Sequence, residues 1–184
     1  MKILEINQTD EYLYLKGQVL SSWMPWCYQP TPHGPIETWF PEDVEKYNGG
    51  SYFSHCVLRS PGAGGMDNLY PQNNSEYLDL SNKVIRQIIG NNDVEMNSII
   101  RINFNMTFPS RRKQPDRPHV DHQFPHNNML VYFTATGGRT VVEEKDGDVE
   151  YTPVEDTGIA FGGDTHYHYF PETGRRVVMV VTYI

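Results

Sequence analysis

A histidine and an aspartate two residues apart, His119 and Asp121, sit in the run Arg117-Pro118-His119-Val120-Asp121. Side chains alternate with a period of two along an extended segment. Both therefore project from one face, and an imidazole nitrogen and a carboxylate oxygen can converge on a single cation. A third ligand has to come from elsewhere. The segment Phe161-Gly162-Gly163-Asp164-Thr165-His166-Tyr167-His168 offers two candidates, His166 and His168. Two histidines and one carboxylate on one side of a metal, with the opposite positions open, is the ligand set that suits non-haem Fe(II) oxygen chemistry. An H-x-D pair alone recurs in many proteins that bind no metal. The context adds to it here, because Arg175-Arg176 opens the run Val177-Val178-Met179-Val180-Val181-Thr182-Tyr183. That run reads as a buried strand beginning with a cation.

These residues resemble the Fe(II)- and 2-oxoglutarate-dependent oxygenases, and among them the small prolyl-4-hydroxylase-like members carried by bacteriophages. The family pattern is H-x-D, a distal histidine, and an arginine or lysine about ten residues later that pairs with the distal carboxylate of 2-oxoglutarate. His119 and Asp121 match its first part, His166 the distal ligand, and Arg176 the cosubstrate anchor. The surroundings are similar too: Arg101-Ile102-Asn103-Phe104-Asn105 before the motif, Leu130-Val131-Tyr132-Phe133-Thr134 after it, and Ser51-Tyr52-Phe53-Ser54-His55 far upstream. The likeness runs from about Ile99 to the end and is looser before that.

The resemblance implies a double-stranded β-helix, or jelly roll, a cupin-like barrel holding Fe(II) through His119, Asp121 and His166. With 2-oxoglutarate and O2 as cosubstrates, it implies a dioxygenase that oxidises an unidentified peptide or small molecule and releases succinate and CO2. Arg176 supplies the guanidinium fork that a carboxylate in a dry pocket needs. Tyr132 is the second candidate for the same carboxylate, with an amphipathic core aromatic as its other reading. Spacing to Arg176 favours His166 over His168, which is left as a pocket contact or an exposed residue. Family members that halogenate replace the carboxylate ligand with a small residue. Asp121 is retained, so hydroxylation is the preferred reaction. Two alternatives compete: a cupin-type metal enzyme without 2-oxoglutarate, and a non-catalytic jelly-roll module with a vestigial site.

Other polar residues near the motif take smaller parts. His122 and His126 would block the open positions if they were ligands, so they are expected as solvent-exposed loop or pocket residues. Arg101 and Asn105 are candidates to line the pocket. Arg111, Arg112, Lys113 and Arg117 form the one basic cluster, either a solvated loop at the rim or a contact for an anionic substrate.

Composition sets the outer bounds. A chain of 184 residues suffices for one domain with a sizeable core, here read as residues 1–184, with supporting helices and strands in 1–95 and the β-helix in 96–184. Hydrophobic residues at 38% and aromatics at 12% indicate a globular protein. A net charge of -8 argues against nucleic acid or an anionic membrane as partner. Cys27 and Cys56 share no metal or redox spacing and read as buried or free thiols of a reducing compartment. No apolar run approaches the roughly 20 residues that span a bilayer, and no secretion signal is evident, so the protein is expected to be cytoplasmic.

The elements that must position these groups follow from local pattern. Met1 to Ile6 reads as a strand. Across residues 7 to 50, Trp23, Trp26, Tyr28 and Trp39 alternate with Pro25, Pro30, Pro32, Pro35 and Pro41, which predicts no long regular element. Residues 41–47 form one or two helical turns, stopped by Asn48-Gly49-Gly50. A strand is expected at 51–59, holding His55 as a packed histidine, and a Gly, Pro and Asn loop at 60–74. Apolar spacings of three and four predict a helix over 76–89, ended by Gly90. Beyond it the chain becomes short strands: 97–107, 118–122, 128–135, 140–144, 148–151 after the Asp146-Gly147 hairpin signal, 158–161, 165–170 and 176–183. Many short, closely spaced strands indicate an antiparallel sandwich or barrel.

Overall fold

A computed structural model describes residues 1–30, 40–47, 49–62 and 69–184. Pro32, Pro35, Trp39 and Asn48 lie outside the described residues, as do residues 63–68 of the predicted loop.

In chain order the elements are β1 (Lys2–Glu5), α1 (Asp10–Leu20), β2 (Cys27–Gln29), α2 (Pro41–Lys46), β3 (Tyr52–Arg59), β4 (Gln72–Asn73) and α3 (Leu78–Asn92). There follow β5 (Ile99–Thr107), β6 (Asn127–Tyr132), β7 (Thr140–Glu144), β8 (Gly147–Tyr151), β9 (Thr157–Gly162), β10 (His166–His168) and β11 (Arg176–Tyr183). The strands pair antiparallel into two sheets. The larger has the order β1-β9-β6-β11-β5-β3-β2, with β4 on β3, and the smaller the order β10-β7-β8. The fold is a mainly β double-stranded β-helix of the jelly-roll type, flanked by helices, as expected.

Alternation along the central strands decides where the core sits. Ile102, Phe104 and Met106 of β5 share one face with Met129 and Val131 of β6 and Val177, Met179 and Val181 of β11. That face packs against Tyr12, Leu15 and Val19 of α1 and Val84, Ile85 and Ile88 of α3. The opposite face carries a smaller cluster, Leu130, Tyr132, Val178 and Val180 with Val142 of the small sheet. Each fully buried aliphatic or aromatic side chain of the larger cluster contributes about 1.5–3 kcal/mol of transfer free energy.

The helix α1 overturns the expectation of no long element in residues 7 to 50. All the prolines of that stretch lie at Pro25 or later, so nothing forbids a helix before them. The Thr9 hydroxyl caps it by accepting from the Tyr12 N–H at 3.2 Å, and Asp10 and Glu11 meet the positive end of the dipole. Helix α3 also differs: it continues through Gly90 and ends at Asp93, which takes the left-handed conformation at φ 50°. Glycine weakens a helix without having to end it. In the β7–β8 hairpin Glu144 faces Gly147, so Lys145 and Asp146 make the turn.

The segment 118–122, predicted as a strand, pairs only through one antiparallel bridge between His119 and His166. Pro115 and Pro118 lack the N–H groups that a longer ladder would use. That bridge, with N–H to carbonyl distances of 3.0 and 2.9 Å, extends the edge of the small sheet toward the site.

Candidate metal centre

His119, Asp121 and His166 come together. One ligand atom from each lies within 4.8 Å of the others. His119 arrives on the bridged loop and His166 on β10, with their rings 4.5 Å apart between centroids. Each ring is oriented by the backbone two residues upstream. Nδ1–H of His119 donates to the Arg117 carbonyl at 3.2 Å, and Nδ1–H of His166 to the Asp164 carbonyl at 3.0 Å. Nε2 is then the atom of each ring that a metal would use. Burial pushes the His166 pKa down despite the nearby Asp121 charge, which keeps the imidazole in its neutral, metal-binding form.

Asp121 is buried, and its two oxygens have different surroundings. Arg101 Nη2 donates to Oδ1 at 2.6 Å. Oδ2 makes no hydrogen bond and stands 3.8 Å from His166 Nε2. Burial raises the carboxyl pKa, but the Arg101 and histidine charges and the Arg101 hydrogen bond outweigh it and hold the group at about 2. A buried, ionised oxygen without a partner, aimed at two imidazoles, fits a divalent cation. His168 is outside this group. Its Nδ1 turns toward Asp116 Oδ2 at 3.7 Å, and it lines the cavity instead.

The three groups open onto a cavity of about 320 Å³ between the two sheets. Arg176, 4% exposed, lines the same cavity. Its Nη2 donates to Thr140 Oγ1 at 3.1 Å, and Tyr132 Oη lies 2.9 Å from the same hydroxyl. The guanidinium carbon stands 5.3 Å from the Tyr132 ring centre, while Nε makes no hydrogen bond. Among the described residues no carboxylate is hydrogen-bonded to this buried cation. A desolvated guanidinium left in that state suits an anionic ligand. Gly138, at φ 75°, lets the loop before β7 close on the segment after β10, since a Cβ there would stand 2.6 Å from the Tyr169 carbonyl oxygen. Thr140 of β7 follows two residues after Gly138.

Thr140, Asp116 and Asn103 are lining residues that the sequence pattern did not single out. Asn103 was legible, because β5 alternates polar Arg101, Asn103, Asn105 and Thr107 with apolar Ile102, Phe104 and Met106. Asp116 lies in a loop and carries no periodic signal. His122 and His126, expected in solvent, are half-buried and buried respectively. His122 Nε2 lies 2.9 Å from Thr182 Oγ1, and Nδ1–H of His126 donates to the Phe124 carbonyl at 2.8 Å. His55 is packed as expected, between the Pro25 carbonyl at 3.1 Å and Ser75 Oγ at 2.7 Å. In the basic cluster, Arg117 pairs with Asp43 at 2.9 Å and ties α2 to the rim. Arg112 and Lys113 line a separate cavity of about 470 Å³. Cys27 and Cys56 are free thiols, and among the described residues no helix is long and apolar enough to cross a membrane.

No protein-family model matches the chain, and no curated protein matches it by sequence. Solved structures do match. An oxidoreductase of the 2OG-Fe(II) oxygenase family from Burkholderia pseudomallei superposes with TM-score 0.62 at 12% identity, over 97% of this chain and 92% of that one. A prolyl hydroxylase from Trichoplax adhaerens, in complex with a hypoxia inducible factor peptide fragment, gives 0.55 at 13% identity, over 100% and 82%. The non-heme alpha ketoglutarate dependent epimerase SnoN from nogalamycin biosynthesis gives 0.55 at 10% identity, over 99% and 75%. The chain therefore shares its double-stranded β-helix fold with these proteins along nearly its whole length.

Proposed function

We propose that residues 1–184 form one domain and act as a non-haem Fe(II)- and 2-oxoglutarate-dependent oxygenase. His119, Asp121 and His166 hold the iron, and Arg176 receives the distal carboxylate of 2-oxoglutarate, with Thr140 beside it on the cavity wall and the fully buried Tyr132 hydrogen-bonded to Thr140. One observation carries this reading: three convergent ligand atoms share a cavity with a buried guanidinium whose Nε has no partner. The likeness in fold to the Burkholderia oxidoreductase supports it.

Bound iron, 2-oxoglutarate and O2 would supply an oxidation that releases succinate and CO2. The chain's own groups do the rest. The Nδ1 hydrogen bonds fix both imidazoles, so that Nε2 faces the ion without reorganisation. Arg176 sets the depth and direction of the cosubstrate by pairing with its far end, and the Thr140 hydroxyl between Arg176 and Tyr132 keeps that cation in place. Leu130, Val178 and Val180 form an apolar wall of the cavity, which limits water and strengthens the charge pairing. With Asp121 present as a carboxylate ligand, hydroxylation is the favoured outcome. The epimerase of the same fold shows that this scaffold also serves another reaction. A cupin-type enzyme would have no use for the buried Arg176.

The test is Fe(II)- and O2-dependent conversion of 2-oxoglutarate to succinate by the purified protein, with peptide and small-molecule substrates added in turn. Oxygen consumption that requires 2-oxoglutarate supports the assignment. Iron binding without any cosubstrate turnover, across all substrates, would favour a vestigial site instead.

A further inference from the structure

One oxygen of Asp121 is held by a cation from β5. Arg101 lies on the cavity face of β5, and its Nη2 stands 2.6 Å from Asp121 Oδ1 while Oδ2 stays without a hydrogen bond. A carboxylate can occupy one or two positions on a metal. An ion that took both oxygens would come within about 2.0–2.2 Å of Oδ1 and bring its charge against the guanidinium on that same atom. We infer that Arg101 is a positioning residue that restricts Asp121 to a single metal-binding oxygen and so keeps open the position a chelating cosubstrate requires. The inference rests on the iron and 2-oxoglutarate reading of the site.

The two strands explain why the contact holds. Arg101 pairs in register with Thr182 of β11, whose hydroxyl stands 2.9 Å from His122 Nε2, so Asp121 and His122 are tied to the same end of the large sheet. The Arg101 side chain is also partly buried, with Nε out of solvent and without a hydrogen bond. Without Arg101, Oδ1 has no other hydrogen-bond donor among the described residues, and both carboxylate oxygens become available to the ion.

The expected signature has opposite signs on the two ligands. In Arg101→Gln, Co(II) or Mn(II) binds as tightly as in the wild type or tighter, because a repelling cation is gone and a second oxygen can bind. The metal-loaded variant binds 2-oxoglutarate about tenfold or more weakly, and the visible absorption of its Co(II) form, without cosubstrate, departs from that of the wild type. Arg101→Lys keeps a cation and a donor and should fall within about threefold of the wild type in both affinities. Arg101→Met repeats the comparison if the glutamine variant is unstable to heating.

Three results would overturn the inference while leaving the oxygenase reading intact: metal and cosubstrate affinity falling together, weakened cosubstrate binding with an unchanged Co(II) spectrum, or no change at all. The first would assign Arg101 to general support of the loop, the second to direct contact with the cosubstrate. Wild-type protein that takes up neither metal nor 2-oxoglutarate would remove both the reading and the inference.

Discussion

The two faces of β5 obey opposite rules. Ile102, Phe104 and Met106 point toward the helices and are buried among apolar neighbours. Arg101, Asn103, Asn105 and Thr107 point into the cavity, and buried atoms of all four, Nε, both Oδ1 and Oγ1, lack a hydrogen-bond partner. Each such atom costs about 1–3 kcal/mol relative to a satisfied one. One strand thus supplies stability on one side and, on the other, keeps polar groups in a state that only a ligand or water would satisfy. The difference separates what holds the fold from what the fold is for.

Substitutions on either side of that divide sharpen the contrast. The largest effect is expected at the ligands: His119→Ala or Asp121→Ala abolishes Fe(II)-dependent succinate formation while the melting temperature of the metal-free protein stays near wild type. Uncoupled turnover unchanged in either variant would end the assignment. On the helix-facing side, Phe104→Ala should cost about 3–5 kcal/mol in chemical denaturation, because the aromatic is fully buried against His55 and Phe133.

Protons should distinguish the faces as well. Burial, first of all, lowers the pKa of His168 to about 3, of His122 to about 4, and of His166 in the same direction. All three are neutral in the folded, metal-free protein at neutral pH, and the unfolded chain takes up protons near 6.5. Their contribution is therefore complete above pH 6.5 and lost as the pH falls toward 4 and then 3. The loss is at most about 1.4 kcal/mol per pH unit for each buried histidine, and less for His122, which is only half-buried. Denaturation midpoints measured from pH 7.5 to 4 would show it, and a flat profile would count against the burial of these rings.

Arg176→Ala should raise the 2-oxoglutarate concentration needed for half-maximal turnover by about 10–100-fold, with iron affinity little altered, since it removes a charge pair and no iron ligand. A fall in iron affinity alone would mean a different role for this arginine. The smallest change is expected at Asn105→Val. Removing a buried amide with an unsatisfied Oδ1 should leave stability unchanged or raise it by up to about 1 kcal/mol, while turnover declines. A clear loss of stability would show that the amide is satisfied in the folded protein.

Much of the chemistry was legible in order along the chain. Two-residue spacing put His119 beside Asp121, and the arginine before a β-branched strand marked Arg176, because both signals depend only on local backbone geometry. The alternation of Arg101 to Thr107 was equally plain, as was the apolar stripe of α3. Helix α1 was missed because proline-rich residues further on were allowed to speak for a segment that Thr9, Asp10 and Glu11 start independently. The exposure expected for His126 failed for another reason: burial there comes from Gly163, whose added Cβ would stand 2.9 Å from the ring, a contact between distant residues.

By itself the amino-acid order determined the candidate ligand types, the strand-rich fold class and the cation that opens β11, since these follow from residue chemistry and from periods of two and 3.6. Only the tertiary structure decided that His166 and not His168 meets Asp121, that Thr140 stands between Tyr132 and Arg176, and that Arg101 occupies one carboxylate oxygen. Those outcomes depend on register between strands far apart in the chain, where a shift of one residue would turn every side chain to the opposite face.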